Sequence, residues 1–238
     1  MKWCLGNQIA KECLEIRYGF LDLFYPRVCE VCGKSLIRGE VYLCSYCLSD
    51  FPFVDHNMSV GKEILDHFEE QMRPIRFYAL YYYDKYSAFK NLIYQVKYHS
   101  YQKLAFYLGR MLGERIVADC QVDCIIPVPL HEKKKKQRGY NQALEIAKGM
   151  NEVLQVELLE QVVVRVKNNP SQTGKNVVER FQNVEDAFEL LHPEKVRGKH
   201  VLLVDDVITT GATVASCLRV LAVESDVRFS LACLAKTV

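Results

Sequence analysis

The sequence offers no window of about 18 unbroken apolar residues, so no membrane-spanning helix is expected. It has no large excess of charge. With 31 basic residues against 29 acidic ones, no global field commits the chain to nucleic acid or to an anionic membrane. Any preference for anions must therefore be local. The start, Met1-Lys2-Trp3-Cys4, leads into a segment carrying Lys11, Glu12, Glu15 and Arg17. Those charges interrupt the apolar core of a secretory leader, so a cytoplasmic protein without membrane insertion is expected. Internal repeats and low-complexity tracts are missing. So are Gly-x-x-x-x-Gly-Lys-Ser/Thr and Gly-x-Gly-x-x-Gly, which removes the two commonest nucleotide-phosphate loops. Nothing in the chain reads as a helix-turn-helix.

Half of the 238 residues are apolar, enough for one α/β domain and a small module. Residues 5–25 show Ile9, Cys13, Ile16 and Phe20 at helical spacing, so residues 1–25 are assigned to an N-terminal helix. Residues 26–52 hold paired cysteines, and residues 53–75 read as a polar, acidic connection. From residue 76 to 238, aromatic and β-branched strands alternate with helices. Strands are expected at 77–83, 122–128, 159–166, 200–204 and 227–234. Helices are expected at 87–98, 102–118, 140–154 and 213–223, with another near 176–181 in a long polar loop. Such alternation implies a parallel sheet covered on both faces, with ligands at the carboxyl ends of its strands.

The strongest motif is Val201-Leu202-Leu203-Val204-Asp205-Asp206-Val207-Ile208-Thr209-Thr210-Gly211-Ala212-Thr213. An apolar strand ends in two acids and is followed by a hydroxyl-rich turn and a helix. Gly211 allows a tight turn and close approach of backbone to a ligand. The helix start leaves amide N–H groups without intrahelical acceptors, and these favour an anion. The hydroxyls of Thr209, Thr210 and Thr213 add donors, and Ala212 keeps the turn small. A phosphate fits there. Asp205 and Asp206 would repel a bare phosphate, so they suit ribose hydroxyls, directly or through Mg²⁺ and its waters. The run resembles the signature of the type I phosphoribosyltransferases. That resemblance implies that Asp205 and Asp206 face the ribose of phosphoribosyl pyrophosphate and that residues 209–213 hold its 5′-phosphate.

A second motif follows the strand at Ile125-Ile126. Pro127-Val128-Pro129-Leu130-His131 stiffens its exit, and Lys133 to Lys136 and then Arg138-Gly139-Tyr140-Asn141-Gln142 come next. The lysines read equally as a pyrophosphate site, a track for a nucleic-acid backbone, or a solvated charged loop. A third feature is the polar stretch Arg165-Val166-Lys167-Asn168-Asn169-Pro170-Ser171-Gln172 followed by Arg180, Asn183 and Val184, a lid, binding loop or connection.

Ten cysteines are present. Cys29-x-x-Cys32 and Cys44-x-x-Cys47 form two pairs separated by eleven residues. Four thiolates at this spacing suit tetrahedral Zn²⁺ in a closed, structural site. The remaining cysteines read as small core residues.

Pro-Val-Pro-Leu-His, Arg-Gly-Tyr-Asn-Gln, the spaced series Arg165…Gln172…Arg180-x-x-Asn183-Val184, Lys97-Tyr98 and Thr-Thr-Gly-Ala-Thr together are similar to the ComF family of competence proteins. The likeness runs from about Pro26 to the C-terminus. It implies a phosphoribosyltransferase-like domain behind an N-terminal zinc finger. It further implies a role in natural transformation, with single-stranded DNA and other competence proteins as partners. Lys97 and Arg138 are then expected at the pyrophosphate. One departure is visible, since lysines at 133–136 stand where the family usually shows arginines, and lysine lacks the bidentate fork. Two functions remain open at this level. One is a binder of phosphoribosyl pyrophosphate and single strands. The other is an active phosphoribosyltransferase that releases pyrophosphate to an unidentified nitrogen acceptor.

Overall fold

The computed structural model describes residues 26–55, 68, 72–98, 101–166, 187–224 and 226–237. The helix expected over 5–25, most of the connection over 53–75, and the polar loop with its helix near 176–181 lie outside them. By contacts the chain divides into two units, Met1–Phe51 and Pro52–Val238. Among the described residues no helix is long and apolar enough to cross a membrane.

In the first unit, Val28 pairs with Ser35 in an antiparallel bridge and a short helix, α1 (Ser45–Ser49), follows. Gly33 turns the chain at φ 72°, a conformation that costs glycine nothing, and donates its N–H to the Cys29 carbonyl.

The second unit contains β1 (Phe77–Tyr83), α2 (Lys90–Tyr98), α3 (Gln102–Ile116), β2 (Cys124–Pro127), α4 (Glu132–Arg138), α5 (Gln142–Leu154), β3 (Glu157–Leu158), β4 (Val163–Arg165), β5 (Phe188–Leu190), β6 (His200–Ile208), α6 (Ala212–Leu221) and β7 (Arg228–Thr237). Five strands form one parallel sheet in the order β1-β7-β6-β2-β3. The central strands read as near-continuous apolar runs because both faces are covered. Helices α3 and α5 pack side by side against β1, β2 and β6, while α6 lies against β4, β5 and β6. The chain leaves β2 toward β3 and leaves β6 toward β7, in opposite directions. A crevice therefore opens between the carboxyl ends of β2 and β6, where ligands bind in open parallel sheets.

Three sequence expectations change. The strand expected over 159–166 keeps only Val163–Arg165, and the pairing of β3 with β2 ends at Leu158. Leu159 still donates to the Ile125 carbonyl beside β2, but Glu160 and Gln161 are exposed and the chain bends away. Val163–Arg165 then pairs antiparallel with Phe188–Leu190, because Val162, Val163 and Phe188 bury their side chains in a core shared with α6. The lysine loop is a helix. His131 caps it by accepting the Lys133 N–H, and Gly139 ends it at φ 84°. Lysine, glutamine and arginine are good helix formers, so a short helix beats a loop once both ends are capped. In addition, β6 extends beyond Val204 to Ile208, so both acids lie within the strand.

Helices α3 and α5 touch through glycines. A Cβ on Gly149 would sit 2.0 Å from the Phe106 carbonyl oxygen, and one on Gly109 would sit 2.2 Å from that of Ile146. Both obstacles are backbone and cannot rotate away. We expect Gly149→Ala to destabilise the protein by at least about 2 kcal/mol in urea unfolding, despite alanine's better helix propensity. A stability gain would show that the helices are farther apart than described.

Candidate anion-binding site and metal centre

The crevice is built from β6 outward. Pro127 pairs with Val204, and Val128 makes the last bond to this part of β6 by donating to the Val204 carbonyl at 2.8 Å. Asp205 and Asp206 come immediately after. Successive residues on a strand point to opposite faces. Asp205 lies toward β4 and α6, where Arg165 and Cys217 feel its charge. Asp206 lies toward α2, where Lys97 Nζ stands 3.5 Å from its Oδ2. The Asp206 N–H donates to Asp205 Oδ1 at 2.8 Å. The Asp205 carboxyl is pushed up to about 7, first by burial and next by the neighbouring Asp206 charge, with the Asp206 N–H, Lys97 and Arg165 offsetting only part of this.

This shift makes a stability prediction whose sign can be worked out. A carboxyl with a raised folded-state pKa favours the fold while protonated, and that benefit is lost as pH rises from the unfolded value of 3.8 toward about 7. Asp205→Asn should therefore melt further above the wild-type temperature at pH 8 than at pH 5. A gap that stays constant between those pH values would contradict the shared-charge account.

Beyond β6, Thr209 is exposed and Thr210 half-buried. Gly211 adopts φ 75° at the start of α6, a turn that favours glycine. No side chain caps this helix. The amides of Ala212 and Thr213 therefore belong to the first turn, where intrahelical acceptors are lacking. Such a turn can offer its amides to an anion, and it follows the two acids of β6 in the chain.

Four cations surround the acids. Lys97 is carried by the last turn of α2, which is held in place because Tyr140 Oη donates a hydrogen bond to the Val96 carbonyl. Arg138 ends α4, donates to Gln142 Oε1 at 3.1 Å, and places its guanidinium 5.7 Å from the Tyr98 ring centroid. Lys134 lies one turn before Arg138 on the same side of α4. Its ammonium is held below the ordinary lysine value by burial, then by Arg165, Arg138 and Lys97, with Asp206 opposing. Arg165 ends β4, its guanidinium 5.3 Å from the Phe188 ring centroid.

The structure thus brings the expected Lys97 together with Asp206 and sets Arg138 nearby. Lys134 and Arg165 join them, where the sequence leaves residues 133–136 open between a pyrophosphate site, a nucleic-acid track and a solvated loop, and the stretch from Arg165 open between a lid, a binding loop and a connection. The signal for Lys134 was its i, i+4 spacing to Arg138, visible only once 132–138 is read as a helix. In the Arg-Gly-Tyr-Asn-Gln segment only Arg138 reaches the cation group. Asn141 caps α5 and donates to the Val128 carbonyl at 3.1 Å, so that segment mainly fixes where α4 and α2 stand.

Two buried donors mark what the site lacks. Arg165 Nε and Gln142 Nε2 have no hydrogen-bond acceptor among the described residues. A buried donor without an acceptor costs roughly 1–3 kcal/mol, and ligand oxygens would remove that cost. Two carboxylates beside each other also offer the hard oxygen donors that Mg²⁺ takes.

In the first unit, Cys29, Cys32, Cys44 and Cys47 place their four sulfurs within 4.8 Å of one another. Cys32 and Cys44 Sγ lie 3.7 Å apart, near the ~3.8 Å edge of a tetrahedron with ~2.3 Å metal–sulfur bonds. Cys44 N–H donates to Cys29 Sγ at 3.3 Å and Cys47 N–H to Cys44 Sγ at 3.4 Å. Burial raises the Cys29 thiol, but N–H donors from Cys32, Cys44 and Val31 outweigh it and bring it to about 7, suited to a thiolate. The four cysteines can hold a metal ion such as zinc. Cys124, Cys217 and Cys233 are buried core residues, as expected.

A model of the phosphoribosyl transferase domain matches residues 138–237. That stretch runs from the end of α4 through β7 and includes both acids and the cradle. With the parallel sheet, it defines a protein of the phosphoribosyltransferase-type fold, preceded here by a four-cysteine cluster. Among curated relatives, competence protein F of Haemophilus influenzae is 40% identical over 106 residues, 43% of this chain and 46% of that protein. The DNA utilization protein YhgH of Salmonella typhimurium is 27% identical over 91% of this chain and 93% of its own length. Competence protein ComFC of Bacillus subtilis is 31% identical over 40% of this chain and 37% of its own. These relatives and the phosphoribosyl transferase domain together support a competence protein of the ComF type.

Proposed function

We propose that this protein binds phosphoribosyl pyrophosphate with Mg²⁺ in the β2–β6 crevice, and that it serves DNA uptake in the cytoplasm with single-stranded DNA and other competence proteins as partners. The observation that carries the reading is the acid pair Asp205–Asp206 set between a phosphate-type turn and four cations. Each part answers one part of the ligand. The amides and hydroxyls of residues 209–213 suit the terminal 5′-phosphate. The carboxylates accept hydrogen bonds from ribose hydroxyls, which a bare phosphate does not offer. Lys97, Lys134, Arg138 and Arg165 suit the pyrophosphate. Mg²⁺, when bound, would lessen the repulsion between that pyrophosphate and the carboxylates.

Zn²⁺ at Cys29, Cys32, Cys44 and Cys47 is assigned a structural role, because all four ligands come from protein and none is left for chemistry. The DNA part of the reading is supported by the names of the relatives, which speak of competence and DNA utilization.

Calorimetric titration with phosphoribosyl pyrophosphate and Mg²⁺ tests the ligand. One saturable site is expected, and no heat at millimolar ligand would reject it. Adding purine, pyrimidine or pyridine acceptors to the loaded protein separates binding from transfer. Release of pyrophosphate would make the protein a phosphoribosyltransferase that uses the same cations on its leaving group.

A further inference from the structure

We propose that the outward side of α2 is a stacking surface for the unpaired bases of a single-stranded nucleic acid. This deepens the partner reading above and rests on it, but it names a place. Helix α2 turns Leu92, Ile93 and Val96 inward. Lys90, Tyr94, Lys97 and Tyr98 recur at i, i+4, i+7 and i+8, so they form one stripe ~12 Å long on the other side. The stripe alternates cations and rings.

Single exposed tyrosines are ordinary. This pair is not single. Tyr94 is 56% and Tyr98 53% exposed. Their ring centroids lie 4.9 Å apart with planes tilted by 41°. Arg138 stands over Tyr98, and just before the helix Tyr86 is 82% exposed with Lys85 Nζ 4.9 Å from its ring centroid. Helix α2 contains no acidic residue. The tyrosines of β1, rich as that strand is in aromatics, are buried or half-buried and unavailable for stacking.

The occupant follows from this chemistry. A ligand that places flat π-systems on Tyr94 and Tyr98 while giving anions to Lys90, Lys97 and Arg138 is a flexible polyanion with exposed bases. A free nucleobase needs a concave pocket, and this stripe is the convex side of a helix. A duplex keeps its bases paired and stacked inside. Lys97 also joins the stripe to the crevice, since its ammonium is the one on Asp206.

The test uses the intact protein and a labelled 15-nucleotide thymidine strand, read by fluorescence anisotropy. Tyr94→Ala with Tyr98→Ala should weaken strand binding at least tenfold, while Tyr94→Phe with Tyr98→Phe keeps it. An abasic strand of equal length should bind the wild type at least tenfold more weakly than the thymidine strand. A cooperative melt at the wild-type temperature shows that the alanine variant is folded. If that variant, or the abasic strand, binds like its parent, the stacking surface is wrong while the partner reading stands. If the wild type binds no strand at low salt, both fall.

Discussion

Asp205→Asn with Asp206→Asn abolishes binding of phosphoribosyl pyrophosphate and leaves the protein at least as stable as the wild type. The two expectations come from one feature. Both carboxylates lie inside β6, with Asp206 9% exposed and Asp205 carrying a raised pKa because burial and its neighbour oppose its charge. An amide keeps the shape of each side chain but removes the charge that ribose hydroxyls and Mg²⁺ require. Two charge-assisted hydrogen bonds at about 1.5–3 kcal/mol each correspond to a loss of roughly two to four orders of magnitude in affinity. The fold should gain rather than lose, because a repelling pair disappears. Lys97 gives up its ion pair with Asp206, but it is 24% exposed and can turn to water. Such opposition between stability and binding is what a site residue shows and a packing residue does not. Calorimetry and melting of the same preparation check both halves. An unfolded variant would mean the acids are structural, and normal affinity would mean the ligand sits elsewhere.

Removal of the metal from the cysteine cluster has the second large effect. Cys29→Ser, or a strong chelator, should release zinc and unfold residues 26–51. That stretch has little to hold it otherwise. Its buried apolar side chains are few beyond the cysteines, its helix is α1 alone, and Ile37, Val41 and Tyr46 are exposed. Structural zinc supplies about 10–16 kcal/mol of folding free energy in finger-sized modules, more than such a stretch can replace. The second unit has its own core around the sheet, so binding of phosphoribosyl pyrophosphate should survive. Metal analysis and amide exchange over 26–51 read the outcome. A metal-free protein with protected amides in that stretch would show that the cysteines are ordinary core residues.

Most of the sheet could be read in advance because both of its faces are buried. Val201 to Val204 and Cys124 to Ile126 are apolar without alternation, which in a short run between turn signals marks a covered parallel strand. The cradle was legible for a different reason, since its chemistry lies in consecutive residues from Asp205 to Thr213. The cysteine cluster was legible from spacing alone.

Legibility ended where the site is assembled across elements. Arg165 reaches Asp205 only because Glu160 and Gln161 turn the chain out of the sheet and β5 pairs with β4, a choice made by the burial of Val163 and Phe188. Lys134 could not be told from Lys133, Lys135 or Lys136 until His131 and Gly139 set the ends of α4, and with them the side that faces the acids. The tyrosines of β1 are buried or half-buried, and the exposed rings belong to α2 and the turn before it, where helical spacing rather than density decides which side chains reach solvent.

A crystal soaked with phosphoribosyl pyrophosphate and Mg²⁺ tests the central claim most directly. The 5′-phosphate should appear within hydrogen-bonding distance of the amides at Gly211, Ala212 and Thr213, with the ribose hydroxyls against Asp205 and Asp206. Density for the ligand away from the carboxyl end of β6, with that turn left bare, would contradict it.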